Sequence, residues 1–444
     1  MKKGLLILAA MTTLTVTAQQ KWTLRDCIDY AMQNNITLKQ SQLNKQTTTE
    51  TRKQSQAALF PSLSGSTNQS LGYKPWLNTS ISTVNNGTVN TSVHKTYYNG
   101  TYGLNASWTV WNGNQNHNQV KANKLSEQQA ELTVEQTANT IQEKIAQLYV
   151  QILYQTEAID VCRQSLETSQ RNEERGRELV EVGKMSKADL AQLSAQRATA
   201  EYDLVQAEST LANYKLQLKQ QLEITGDQSF DIDVTAANDQ QALTTIPAMT
   251  DVYEQALLLR PEIKNTELAL KASEVQLKIA KAGHLPTISL TGGLGTSTSS
   301  NNSKEWGQQI QTNFDASAGI GVSIPIFDQR KAKTAVNKAN IQRELALLDQ
   351  QDKQKKLYAT IEGFWLDAQT NQQKFRAASA TVESEQQSYD LLQEQFNLGL
   401  KNIVELMTGK TSLLKAQQNK LQSKYLTILN QQLLRFYQGE TMTI

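Results

Sequence analysis

The chain is short of the residues that mark small secreted scaffolds and enzymes. Its 444 residues include two cysteines, Cys27 and Cys162, six prolines and three histidines. Two thiols cannot staple a chain of this length, so a disulfide framework is excluded. Both are expected to act as small apolar side chains in helices. The scarcity of proline leaves room for very long helices. His94, His117 and His284 stand apart and are expected at loops or junctions. There is no metal-ligand cluster, paired-carboxylate cleft or phosphate-cradling loop, so neither catalysis nor a cofactor is expected. Charge of one sign is also lacking: 44 Lys and Arg against 42 Asp and Glu give a formal net charge of +2, with the signs intermixed. Without a basic face, nucleic acid is not an expected partner. Long apolar runs are absent beyond the N-terminus, and the mean hydropathy is −0.51. There, Met1-Lys2-Lys3 precedes an apolar stretch from Leu5 to Val16 and then Thr17-Ala18 before Gln19. That layout predicts a signal peptide over residues 1–18. The apolar run is short of the roughly 18 residues of a membrane span. No cysteine follows the cut, so no lipid attachment is expected.

What the chain does have is a long internal duplication. Residues 28–64 align without a gap onto 253–289, at an offset of 225. Ala31 meets Ala256, Lys39 meets Lys264 and Pro61 meets Pro286. The register resumes at an offset of 216, where Ser107 meets Ser323, Trp111 meets Phe327, Gly183 meets Gly399 and Asp189 meets Glu405. The offset therefore falls by nine (225 − 216) between residues 64 and 107, which marks that segment as a tolerant surface loop. The expected organisation is a first repeat at 19–224, a linker at 225–250 and a second repeat at 251–444.

Each repeat opens with a helix, over about 23–59 and 251–285, stopped by Pro61 and Pro286. The period then changes to two. Ile288, Leu290, Gly292 and Leu294 alternate with Ser289, Thr291, Gly293 and Gly295; Phe314 to Ile326 and Tyr102 to Val110 alternate likewise. Each repeat thus carries a strand pair, at about 62–111 and 287–327, joined by a polar loop. One face is apolar and the other small and polar, with aromatic residues crowding the strand ends. That is the pattern of an outer-membrane barrel, although amphipathic hairpins of a soluble protein would share it. From Gly113 a helical run continues for about 70 residues, or about 105 Å. Ile141, Ile145, Leu148, Ile152 and Ile159 form a coiled-coil stripe along it. The helical hairpins cover about 113–224 and 329–438, and reverse at Gly183 and Gly399. Four strands cannot close a barrel, and a membrane sheet cannot keep bare edges, so an oligomer is expected. Eight strands leave space only for side chains, so a hollow pore lined by Gly293, Gly295, Gly319 and Gly321 suits twelve better.

The junction Gly283-His284-Leu285-Pro286-Thr287 resembles that of the TolC-like outer-membrane efflux proteins. So do Pro325-Ile326-Phe327-Asp328 with its copy Val110-Trp111-Asn112-Gly113, and the turns Gly183…Ala188-Asp189-Leu190 and Gly399…Val404-Glu405-Leu406. The order and doubling of these motifs span the whole mature chain. The resemblance implies a mainly α, internally duplicated fold with a membrane β-barrel portion. It would be a homotrimer with a twelve-stranded barrel in outer-membrane lipid, continuous with a twelve-helix periplasmic α-barrel. It implies a passive exit duct for a tripartite efflux pump or type I secretion system. The partners would be a periplasmic adaptor (membrane fusion) protein and an inner-membrane pump of RND or ABC type.

By the same resemblance, the tip turns Gly183, Lys184, Gly399 and Leu400 contact the adaptor, and Asp189 and Glu405 narrow the periplasmic gate. Lys401 falls where a basic partner for Asp189 can sit. Thr408 replaces a possible second acid, and Phe396 replaces an aromatic that can carry a hydroxyl. Pro61, Pro286 and Pro325 mark the helix–strand junctions. The plain alternative is that Asp189 and Glu405 are solvated charges in the first turn of a helix, favoured by its dipole. At the level of the whole chain the alternative is a secreted trimeric coiled-coil adhesin, which would lack matched strand pairs.

Overall fold

The computed structural model describes residues 21–76, 81–84, 87–90, 95–226, 230–234 and 238–443. The expected signal peptide and His94 lie outside these residues. The first repeat contains α1 (Leu24–Asn34), α2 (Ile36–Ala57), β1 (Ser62–Tyr73), β2 (Ile81–Val84), β3 (Gly87–Asn90), β4 (Thr96–Trp111), α3 (Gln115–Glu181) and α4 (Lys187–Gln221). After it come α5 (Asp239–Ala242), α6 (Met249–Leu259), α7 (Pro261–Ala282), β5 (Thr287–Ser299), α8 (Trp306–Thr312), β6 (Asp315–Ser323), α9 (Lys331–Asn397) and α10 (Ile403–Tyr437). The loops between paired strands are less plain than the sequence implies. The first holds the β2–β3 hairpin and the second holds α8.

The uninterrupted helices expected over 23–59 and 251–285 are each broken in two. Asn35 and Arg260, 225 residues apart, both leave the helical region (φ −60°, ψ 126° and φ −67°, ψ 128°). At Asn35 no proline or glycine is needed. Its Oδ1 accepts from the Leu38 N–H at 3.2 Å, which caps α2, and its Nδ2 donates to the Gln221 carbonyl at 3.0 Å. At Arg260 the ring of Pro261 disfavours helix in the residue before it.

The compact units do not follow the repeats. One comprises residues 1–42, 133–264 and 353–444, and the other 43–132 and 265–352, so each draws on both repeats. In the first unit the expected stripe is buried: Ile141, Ile145, Leu148, Ile152 and Leu153 pack with Leu24, Cys27 and Ala31 of α1 and with Leu218 and Leu222. Val252, Ala256 and Ile263 meet Leu357, Ile361 and Leu434 in a second cluster. The linker docks on this core. Trp22 bridges Ile232, and the Tyr149 hydroxyl donates to the Asp233 carbonyl at 2.8 Å. Gln372 donates to the carbonyls of Ala242 and Thr244, and Gln431 donates to the latter. Arg260 is buried between Glu262 (2.8 Å) and Glu143 (3.2 Å), and its guanidinium lies 4.0 Å from the Tyr437 ring centre. In the second unit, ion pairs Lys45–Glu131 (2.7 Å) and Arg52–Glu127 (2.6 Å) tie α2 to α3.

Candidate functional site: a two-faced sheet and a pair of helical tips

The four long strands form one antiparallel sheet in the order β1-β4-β5-β6. Its two hairpins share one register. Ser62 pairs with Ser107 and Ser70 with Asn99; their counterparts Thr287 and Gly295 pair with Ser323 and Asp315 at the same two offsets. The duplication therefore runs unbroken through the strands, and the nine-residue length change lies in the loop beyond Ser70.

Residues paired across an antiparallel ladder point to the same face, so register fixes which side chains share a side. One face carries Leu63, Leu104, Trp108, Leu290, Leu294, Ile320 and Val322. The other carries Ser64, Ser66, Asn105, Ser107, Thr291, Gly293, Ser317 and Gly319, with Tyr97 opposite Gly72 toward its loop end. The apolar face is bare in the single chain: Leu63 is 75% and Ile320 74% exposed. No helix among the described residues is long and apolar enough to cross a membrane. The outer edges of β1 and β6 have no strand partner among the described residues.

The junctions are built twice. Gly113 and Asn114 enter α3 with φ of 66° and 65°, and Gln329 and Arg330 enter α9 with φ of 56° and 69°. Asn112 Oδ1 accepts from the Asn116 N–H (3.2 Å), and Asp328 Oδ2 accepts from the Ala332 N–H (2.6 Å). Both bonds satisfy a donor in the first helical turn. Pro61 and Pro286 directly precede β1 and β5, and Pro325 follows β6 by two residues. Each proline sits where no ladder hydrogen bond is needed.

The tips are also twins. At the first, Gly183 (φ 68°) donates to Val180 and Lys184 to Leu179; at the second, Gly399 (φ 74°) donates to Phe396 and Leu400 to Gln395. Both are Schellman turns, which glycine closes without a Cβ penalty. The acids lie three residues past the next helix cap. Ser186 Oγ accepts from the Asp189 N–H at 3.0 Å and donates to its carboxylate at 2.8 Å. Asn402 Oδ1 accepts from the Glu405 N–H at 3.0 Å, and the Asn402 N–H donates back to Glu405 at 3.3 Å. Ser186 and Asn402 are the residues that the reading for gate acids passed over. Their signal, a cap residue followed three places on by an acid, was present.

Lys401 does not reach Asp189 within the chain. Its ammonium donates to Glu405 Oε1 at 2.6 Å. That bond, then the Asn402 N–H, holds the Glu405 carboxyl below the usual carboxylate range. Asp189 and Lys401 do line one cleft of about 590 Å³ between the turns, with Gly183, Lys184 and Gly399. Phe396 is buried with Leu193, Tyr389, Ile403 and Leu406 beneath the turns and lines the same cleft. The Thr408 hydroxyl donates to the Val404 carbonyl of its own helix.

A sheet with one lipid-compatible face and one small polar face, in a chain that also carries long paired helices, fits the class of outer-membrane proteins. Residues 27–222 and 252–440 match the family described as "Outer membrane efflux protein", one stretch per repeat. The chain belongs to that family: it is an outer-membrane efflux channel and not an enzyme. It is 25% identical to the outer membrane protein TolC of Escherichia coli (strain K12), over 74% of this chain and 72% of that protein. It is 24% identical to the outer membrane efflux protein BepC of Brucella suis biovar 1, over 93% and 84%. The fold matches a crystal structure of CusC with a TM-score of 0.80 at 18% identity, covering 97% of this chain and 96% of that one. It matches the Campylobacter jejuni CmeC channel with a TM-score of 0.76 at 18% identity, covering 95% and 87%.

Proposed function

We propose that three copies of this chain close their sheets into one twelve-stranded barrel, continued by a twelve-helix tunnel. The assembly is the passive exit duct of a tripartite efflux pump or type I secretion machine. A periplasmic adaptor engages the tips at residues 183–187 and 399–403, and an inner-membrane pump supplies the energy. The carrying observation is the register that puts the paired leucines, isoleucines, Val322 and Trp108 of the sheet on one face and mainly serine, threonine, glycine and asparagine on the other. Two bare edges cannot persist in hydrocarbon. A greasy outer wall around a polar interior is what a water-filled barrel requires.

At the tips, three copies each of Asp189 and Glu405 would form cation-attracting rings. The capping role of these acids explains their recurrence without a gate, so the test separates charge from cap. Glu405→Gln keeps a capping side chain and removes the charge, and Asp189→Asn does the same in part. In planar bilayers the trimer is expected to conduct with cation preference, and the double variant to lose that preference while still conducting. Unchanged selectivity would reject the gate. Recovery of a water-soluble monomer without affinity for detergent would reject the duct.

A further inference from the structure

Four charged side chains are buried among the described residues: Glu173, Arg260, Lys410 and Lys424. Three have opposite charges at ion-pair distance. Glu173 meets Arg197 (2.8 Å) and Arg177 (2.9 Å); Arg260 meets Glu262 and Glu143; Lys424 meets Glu157 (3.0 Å) and Asp239 (3.4 Å). Lys410 has none. Its ammonium donates to the Ser165 carbonyl at 2.6 Å and to the Ser169 hydroxyl, both neutral, which leaves one N–H over. Burial pushes its pKa down to about 8, which still leaves it charged at neutral pH. A buried ammonium without a counter-charge is costly enough that such groups are normally paired. Helix packing does not demand the lysine. The equivalent residue 216 places earlier is Ser194, whose hydroxyl donates to Glu173 at 2.8 Å.

Beside Lys410 lies a cavity of about 140 Å³. Ser165 and Thr168 of α3, Gln386 and Tyr389 of α9, and Gln417 of α10 line it with Lys410, and no acid does. The volume suits one small ion and a few waters at about 30 Å³ each. We propose that this cavity binds one small monovalent anion, of the halide or short-carboxylate class, against the Lys410 ammonium. The site lies wholly within one compact unit and stands whether or not the duct reading holds.

The test uses the full-length protein in detergent, with bromide, chloride and acetate as probes. Crystals soaked in sodium bromide are expected to show an anomalous peak within ~3.5 Å of Lys410 Nζ. As chloride or acetate replaces bulky gluconate at constant ionic strength, the melting temperature is expected to rise by about 2–4 °C. Lys410→Met, which keeps the side-chain length and drops the charge, should show no rise. A response to chloride, to acetate or to both supports the site, and a response to one alone tells halide from carboxylate. It is overturned by an absent bromide peak together with indifference to both anions, or by the same rise in Lys410→Met.

Discussion

At the scale of single residues, one buried charge, Arg260, sits where the backbone geometry changes. Arg260 caps α6 at the helix break and, among the described residues, is the only opposite charge at ion-pair distance from two carboxylates, Glu143 and Glu262. Burial holds the Glu143 carboxyl above the usual range, and Arg260 opposes that shift. Arg260→Met should cost up to about 3 kcal/mol, because it strands two partly buried acids rather than removing a whole pair. The loss should depend on pH. A carboxyl whose native pKa lies above its unfolded one favours the folded state when protonated, so its contribution is lost as pH rises. Without Arg260 the native pKa of Glu143 climbs further. Melting curves should therefore show a larger gap from the parent protein at pH 8 than at pH 5. An equal gap at both would show that the lost stacking on Tyr437, not the charge, is what matters.

At the scale of elements, glycine does two different jobs at similar dihedral angles. Gly113 (φ 66°) faces a crowded junction: a Cβ there would lie 2.8 Å from Leu285 Cδ1 and 3.2 Å from Ala282 Cβ. Gly183 (φ 68°) has nothing within 4 Å. Alanine at either position carries the left-handed penalty of about 1–2 kcal/mol. Only Gly113→Ala adds overpacking, worth about 1–3 kcal/mol more. Thermal unfolding in detergent should rank Gly113→Ala well below Gly183→Ala; equal losses would mean that the junction yields without cost. The helical hairpins show a related economy. Gly176 of α3 makes room for Leu193 of α4, whereas in the second hairpin Gly409 of α10 makes room for Leu392 of α9. The offset of 216 maps Gly176 to Leu392 and Leu193 to Gly409, so small and large have changed places while the fit is kept.

Much of this was legible in the sequence, and the parts that were not have identifiable reasons. The period-two runs at Ile288–Leu294 and Tyr102–Val110 located β5 and β4, because a two-sided environment writes alternation directly. The stripe Ile141–Ile159 located the buried seam of α3 for the same reason. The break at Asn35 was hidden because it comes from a tertiary bond, Asn35 to Gln221, 186 residues away. Asp189 and Glu405 were found, but their recurrence has a local cause in Ser186 and Asn402 that competes with the gate. The pairing of Lys401 with Glu405 is local: Lys401 stands just before the Asn402 cap, and its ammonium meets the carboxylate in the first turn of α10.

At the scale of the whole molecule, the internal copy predicts the seam between chains. Within one chain β4 of the first repeat pairs with β5 of the second, for example Ser107 with Thr291. In the proposed ring, β6 of one chain meets β1 of the next, which is the same kind of neighbour one repeat further on. Mapping Ser107 by 216 and Thr291 by 225 places Ser323 opposite Ser66. The bulge between Thr109 and Trp111 maps onto the stretch from Pro325 to Phe327, and Pro325, the counterpart of Thr109, suits the edge of a broken ladder. Ser66→Cys combined with Ser323→Cys should therefore oxidise to covalent dimers and trimers on denaturing gels. Asn68→Cys with Ser323→Cys, two residues out of step, should not. Equal cross-linking by both pairs would refute this register.

The shared hairpin register also separates gauge from ornament. Because both hairpins keep step from Ser62 to Ser70 and from Thr287 to Gly295, a ring of such hairpins has a circumference set by one repeated module. The segments joining the strands can then lengthen or shorten, as the nine-residue disparity between the halves already records, without altering the calibre of the opening.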